Sequence, residues 1–383
     1  MVAFPKEFIS MLHDLMGDEA FDLIRALEEP PVTSVRLNRR KPGAVFQNTD
    51  KVAWCDSGLY LKERPEFILD PLLHAGAYYV QDASSMIYET VITKILEDSP
   101  LFAVNQSKLK ILDLCAAPGG KTTAIINALQ DGAEIIANEY SNKRVGALKE
   151  NLAKWGYPFV KVTNKDSYYY SLQKESFDII AVDAPCSGEG MMRKEEMART
   201  QWSNNLVNEC VALQKEILNN SVKALKPGGY LIFSTCTFNR FENEENAQYI
   251  TDHLHLLPIE INLPEEWGIP RGYATDLPVY RFMPHKTKGE GLFLAIFKKP
   301  GDWKPSDRKT SIPSFIEDKP YPKVEVDKST ALAYLRRESI KLPEDAPKGF
   351  VTITYKNLPL GPAKNIGIRA NNLYPKNWRI LKR

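Results

Sequence analysis

Two cysteines, Cys186 in VDAPCSG and Cys236 in FSTCTF, each follow a run of apolar residues. Once deprotonated, a cysteine sulfur is a potent nucleophile that can add to an electron-poor ring carbon. At a pyrimidine, thiolate addition to carbon 6 turns carbon 5 into an enamine-like nucleophile able to take up a methyl group. A second residue must then remove the carbon-5 proton so that the sulfur can leave. Two cysteines at adjacent strand ends have the chemistry for both tasks. The plainer reading of a cysteine is an inert core residue, and that reading is kept for Cys55 and Cys210.

Other chemistry-bearing residues also follow apolar runs. After LKILDL comes the turn Cys115-Ala116-Ala117-Pro118-Gly119-Gly120-Lys121-Thr122; after AEIIAN comes Glu139, after FVKVTNK Asp166, and after FDIIAV Asp183. Glycines between a strand and a helix let the backbone approach a ligand and present helix N-terminal N–H groups to it. A phosphate loop would need glycine where Cys115 stands, and the dinucleotide fingerprint GxGxxG is absent. Glu139 is placed to accept hydrogen bonds from the ribose hydroxyls of an adenosine, a role shared by nicotinamide and methyl-donor folds. Taken alone it reads equally well as a solvated acid, and Lys121 as a solvent-facing helix residue. Cys115 is expected to pack within the turn.

The elements that must position these residues alternate. LKILDL, AEIIANE, FVKVTN, FDIIAVD and GYLIFST read as short buried parallel strands, separated by the helical stretches KTTAIINALQ, NKRVGALKENLAKWG and NLVNECVALQKEILNNSVKALK. This pattern predicts an α/β fold with a doubly wound open sheet, in which ligands bind beyond the carboxyl ends of the strands where strand order reverses. GEGLFLAIFKK is expected to add an antiparallel strand. Before the sheet, residues 1–70 mix a helical pattern with the strand signal TSVRLNRRK, a small α+β unit, and 70–98 reads as helical throughout. A catalytic domain is expected over 71–300. The Pro- and Ser-rich stretch from Pro300 to about Pro322 marks the boundary to a further domain over 301–383.

With 383 residues, 43% apolar and 26% charged, the composition is that of an ordinary globular protein of two or three domains. Five scattered cysteines make no disulfide framework and suit a reducing compartment. MVAFPKEFIS has no signal-peptide pattern, and no apolar run approaches the roughly 20 residues that span a bilayer, so a cytoplasmic protein is expected. The five histidines do not fall at metal-ligand intervals with the cysteines, so no metal site is expected. The net charge is only +2, yet residues 301–383 hold 17 Lys/Arg against 9 Asp/Glu, and from Lys348 to Arg383 there are eight basic residues and no acid. A polyanion held by the C-terminal domain is the natural inference. Arg36, Arg39, Arg40, Arg193 and Lys194 are candidate phosphate contacts, each equally readable as an ordinary surface charge. Of Tyr168-Tyr169-Tyr170, packing must claim at least one ring.

LDLCAAPGGKTT, VDAPCSGEGMMRK and FSTCTFNRFENEENAQYI resemble three signature blocks of the RNA cytosine-5 methyltransferases of the Nop2/Sun family, in the right order and spacing. HAGAYYVQDASSM and RFMPHKTKGEGLFLAIFKK are similar to the bacterial branch that modifies 16S ribosomal RNA. YLRRE, KGFVTITYKNLPLG and NLYPKNWRI resemble that branch's PUA-like RNA-binding domain. The resemblance implies a class I, Rossmann-like methyltransferase with an RNA-binding N-terminal unit and a C-terminal PUA-like domain. It also implies S-adenosylmethionine as cofactor, held by Cys115 through Lys121, with Glu139, Asp166 and Asp183 toward its ribose, adenine and methionine-side groups. Within the family the Thr-Cys cysteine, here Cys236, is the nucleophile, and the Pro-Cys cysteine, here Cys186, assists proton removal and release. Transfer RNA as substrate, a methyltransferase of small molecules or proteins, and a noncatalytic ribosome-assembly factor stay open as alternatives.

Overall fold

The computed structural model describes residues 2–305 and 321–382; most of the Pro- and Ser-rich boundary segment, 306–320, lies outside the described residues. Its centre is an eight-stranded sheet. Five strands are parallel: β5 (Lys110–Asp113), β6 (Glu134–Asn138), β7 (Val160–Thr163), β8 (Phe177–Asp183) and β9 (Leu225–Thr235). β10 (Leu257–Pro258), β11 (Val279–Phe282) and β12 (Leu292–Lys298) complete it, with β12 antiparallel to β9 as GEGLFLAIFKK predicts. The order β10-β12-β9-β8-β5-β6-β7 reverses at β5, which pairs with β6 on one side and β8 on the other. That reversal is the switch point of a doubly wound sheet, where a crevice opens beyond the strand ends.

The continuous apolar runs exist because this sheet is covered on both faces. Ile111, Ile135, Ile179 and Ile232 point into the core shared with the helices Ile87–Asp98, Gly120–Ala128 and Asn142–Trp155. Their chain neighbours Leu112, Ile136, Ile180 and Leu231 point into a second core, against the helices Asn204–Ala224 and Glu244–Asp252.

A second sheet lies N-terminal to this one. β1 (Thr33–Leu37), β2 (Thr49–Val52), β3 (Cys55–Leu61) and β4 (Tyr78–Val80) pair in the order β2-β3-β1-β4. The helices Lys6–Met16 and Glu19–Glu28, which precede them and break at Gly17, pack instead with Met192, Trp202 and Phe238. The helical reading of 70–98 is corrected here: the aromatic and β-branched Tyr-Tyr-Val stretch pairs antiparallel with β1, and the long helix starts only at Ile87. The candidate phosphate contact Arg36 is also corrected. It is fully buried, donates to Gln81 Oε1, to the carbonyls of Gly120 and Thr123 and to Thr123 Oγ1, and stacks over Trp155. A desolvated guanidinium persists only with such a complete set of acceptors, and here they pin β1 to the helix Gly120–Ala128.

The C-terminal sheet has the order β13 (Lys323–Glu325), β14 (Gly349–Tyr355), β15 (Leu358–Asn365), β16 (Ala370–Asn372), with the helix Lys328–Leu335 over one face. Its core takes in Ala75 and is packed by Leu69, while Tyr355 and Leu358 pack on the N-terminal core of Val35, Phe67 and Leu72.

Candidate active site

The strand ends of the central sheet carry the residues singled out above. At the end of β5 the chain turns through Cys115–Gly119 into the helix that starts at Gly120. Gly119 sits at φ +109° and caps that helix, a conformation costly for any residue with a Cβ. Ala116 N donates to Asn138 O at 2.7 Å and Arg144 Nη2 to Ala117 O at 2.5 Å, so the turn is held from β6 and from the following helix.

Glu139 is buried at the end of β6. Its Oε1 accepts from Ser141 N at 2.8 Å; its Oε2 lies 3.5 Å from Arg144 Nη1 and has no hydrogen-bond partner. A buried carboxylate oxygen without a donor is a group that a ligand hydroxyl would satisfy. Asp166 is exposed beyond β7, where it accepts from Tyr169 N at 2.8 Å and caps the short helix Ser167–Ser171. Of the three tyrosines there, Tyr170 is buried with its hydroxyl on Thr163 and Asn138, while Tyr168 and Tyr169 are exposed.

Asp183, at the end of β8, has both oxygens engaged. Lys121 Nζ reaches Oδ2 at 2.8 Å and Ser234 Oγ donates to Oδ1 at 2.7 Å; Ser234 in turn pairs with the buried Tyr88 hydroxyl at 2.8 Å. Burial pulls the Lys121 ammonium down, and Asp183 more than offsets it, so the pKa is raised and the charge stays; Cys236 adds to that electrostatic support.

Cys186 and Cys236 come together, with sulfurs 3.3 Å apart and both partly buried. The hydrogen bond to Cys236, then burial, push the Cys186 thiol well above its ordinary value, so Cys186 keeps its proton. The loops that carry them interlock. Gly190 N donates to Cys236 O at 2.8 Å, and a Cβ at Gly190 would stand 2.9 Å from that same oxygen and 2.7 Å from Glu290 O.

Two acids that sequence reasoning passed over lie under this junction. Glu189 is fully buried and accepts from Phe238 N, Asn239 N, Asn239 Nδ2 and Trp202 Nε1. Glu242, equally buried, accepts from Ser187 N, Gln214 Nε2 and Asn239 Nδ2. Each carboxylate therefore gathers donors from both cysteine loops or from elements beside them. The acids stand inside the VDAPCSGEG and FENEEN blocks, but period and spacing alone mark them as ordinary surface charges.

The remaining basic candidates are paired within the fold. The Arg193 guanidinium donates to the carbonyls of Glu29, Pro30 and Gly289, which removes it from the phosphate contacts. Arg39 pairs with Glu89, Arg40 with Asp131, and Lys194 with Glu290. Cys115 is half-buried in the turn, with a thiol raised by desolvation and by Asp113, and Cys55 and Cys210 are buried free thiols. Among the described residues no group of three metal-ligating side chains meets, and no helix is long and apolar enough to cross a membrane.

Comparison with known proteins agrees along the chain. Residues 101–298 match the family described as 16S rRNA methyltransferase RsmB/F, residues 4–83 the N-terminal domain of 16S rRNA methyltransferase RsmF, and residues 321–380 the methyltransferase RsmF PUA domain. Ribosomal RNA small subunit methyltransferase F of Pectobacterium atrosepticum is 30% identical over 98% of this chain and 81% of its own length. The protein of the same name from an Enterobacter species is 33% identical over 91% and 71%. Among solved structures, a methyltransferase homologue from Pyrococcus horikoshii is similar with a TM-score of 0.64 and 24% identity, over 78% of this chain and 96% of that one. NSun6 from the same organism has a TM-score of 0.64 and 21% identity, over 78% and 99%. At these identities the likeness of structure establishes the fold, a Rossmann-like methyltransferase sheet.

Proposed function

The chain belongs to the 16S rRNA methyltransferase RsmB/F family and is an S-adenosylmethionine-dependent RNA methyltransferase; from that premise we propose that it methylates carbon 5 of a cytidine in 16S ribosomal RNA, with Cys236 as covalent nucleophile. The observation that carries this reading is the meeting of the two sulfurs beside the Lys121–Asp183 pair, at the edge where the donor turn and Glu139 also stand.

The residues present fit the cofactor. The turn Cys115-Ala116-Ala117-Pro118-Gly119-Gly120-Lys121 would hold it, Glu139 Oε2 taking a ribose hydroxyl, Asp166 facing the adenine side and Asp183 the methionine side. When bound, S-adenosylmethionine supplies an electrophilic methyl group. The acids suit a ligand that carries positive charge at its sulfonium and ammonium.

The rest falls to this chain's own groups. The target base is turned out of its stack, since carbon 6 is out of reach within it. Cys236, as thiolate, forms a bond to carbon 6, and the electron pair of the carbon 5–carbon 6 double bond becomes available at carbon 5. Lys121 and Asp183 form a charged pair beside the sulfur, supporting the anion and orienting the polar edge of the base. After methylation, carbon 5 carries a proton that must leave. Cys186 is held protonated chiefly by its hydrogen bond to Cys236; once that sulfur is tied up in the carbon bond, Cys186 gives its thiol proton to solvent and, as thiolate, takes the proton from carbon 5. The electron pair of the carbon–hydrogen bond restores the double bond, and the carbon–sulfur bond breaks. The Lys/Arg surplus of the C-terminal domain supports RNA as the partner.

Methyl transfer from labelled S-adenosylmethionine to 16S ribosomal RNA, and separately to transfer RNA, tests this reading. The wild type is expected to label a cytidine of the ribosomal RNA, and Cys236→Ser to fall to background while still binding the donor. Undiminished transfer by Cys236→Ser would remove covalent attack by that sulfur.

A further inference from the structure

The outward face of the C-terminal sheet carries rings and cations that the proposed reaction does not use. Tyr321 and Phe350 stack with ring centroids 5.2 Å apart and planes 17° from parallel, and Phe350 is 46% exposed although it lies within β14. The register sets Lys364 of β15 directly opposite Phe350, its ammonium 5.6 Å from the ring centroid. Asn371 of β16 lies opposite Lys364, and Lys323 of β13 opposite Thr352, two residues along from Phe350. The alternate residues Val324, Val351, Ile353 and Ala363 fill the core, so the pleat itself commits Lys323, Phe350 and Lys364 to solvent. The acid Glu325 stands at the far end of this strip, where Thr354 Oγ1 and Asn357 N hold its carboxylate.

An exposed aromatic pair flanked by ammonium groups on a sheet is a platform for a nucleobase: the ring face stacks on a base and the cations meet the flanking phosphates. A duplex keeps its bases inside its own stack, so such a platform selects unpaired nucleotides. We propose that this face binds a single-stranded stretch of RNA, with one base extending the Tyr321–Phe350 stack and Lys364 and Lys323 on the neighbouring phosphates. The proposal rests on the reading of RNA as substrate and adds where on the C-terminal domain, and in which conformation, the RNA is held.

The test uses the full-length protein and a labelled 20-nucleotide unstructured oligoribonucleotide, with a duplex of the same sequence as second probe. Phe350→Ala is expected to weaken single-strand binding about tenfold, with the duplex changed less than twofold. Phe350→Trp is expected to retain binding and Lys364→Ala to weaken it about threefold. Phe350→Leu, which keeps apolar bulk without a ring, guards against a folding effect and is expected to behave as Phe350→Ala at an unchanged melting temperature. Equal loss for both probes, or unchanged single-strand affinity in Phe350→Leu, would overturn the platform. Parallel assay of wild-type methyl transfer to 16S ribosomal RNA separates the two readings: transfer with an unaffected Phe350→Leu sinks the platform alone, while absence of transfer to any RNA sinks the function.

Discussion

Asp113 closes β5 beneath the donor turn, where its Oδ2 accepts from Thr122 Oγ1 at 2.5 Å and its Oδ1 has no partner. Burial, opposed only in part by that hydrogen bond, raises its pKa to about 7. The folded chain therefore binds a proton that the unfolded chain has already lost between about pH 4 and pH 7. Stability from this group is complete at low pH and declines as pH rises through that window. Asp113→Asn cannot ionise, so it is expected to be more stable than wild type at pH 8, by up to about 4 kcal/mol, and nearly equal to it at pH 4. Urea midpoints at the two pH values check the sign. At Cys186 the expectation is kinetic: Cys186→Ser lacks the proposed acceptor for the carbon-5 proton, so a protein–RNA adduct should accumulate. It would be seen on a denaturing gel and be absent in Cys186→Ser/Cys236→Ser.

The same sulfurs depend on elements far apart in the chain. β8 and β9 are neighbours in the sheet, so the loops after them start side by side. Register alone would still leave the two loops free to diverge and their sulfurs to point apart. Glu189 and Glu242 join the loops, and Arg281 on β11 adds a bidentate pair with Glu244 and a bond to Phe238 O. Glu189→Gln keeps the shape but turns an amide N–H₂ toward Trp202 Nε1 and Asn239 Nδ2 or toward the Phe238 and Asn239 amides. It is expected to cost about 3 kcal/mol in thermal or urea unfolding. It should also lower the turnover rate with little change in donor affinity, because the turn at 115–121 does not touch it.

At the scale of the molecule, the three sheets share cores. Leu69 and Ala75 pack into the C-terminal core, Tyr355 and Leu358 into the N-terminal one, and Arg36 ties β1 to the donor helix. Ending the chain at Pro305 would expose these apolar contacts as well as remove the basic surface. The shortened protein is expected to melt several degrees lower, or to aggregate, besides binding RNA more weakly. Differential scanning calorimetry alongside RNA titration separates this outcome from a domain that detaches without consequence.

The central sheet was legible in the sequence because both its faces are covered, which forces uninterrupted apolar runs, and because glycines, acids and cysteines stand where each run stops. The three sequence blocks, together with the resemblance they carry, named the chemistry. β2 and β4 were not legible: Thr49–Val52 is polar and short, and Tyr78–Val80 owes its extended form to pairing with β1. Arg36 read as a surface cation because burial of a charge is decided by acceptors up to 87 residues away. The 3.3 Å between Cys186 and Cys236, separated by 50 residues, belongs to the tertiary structure for the same reason. Hydrophobic period reports which face of an element is covered; which polar groups meet across elements depends on packing in three dimensions.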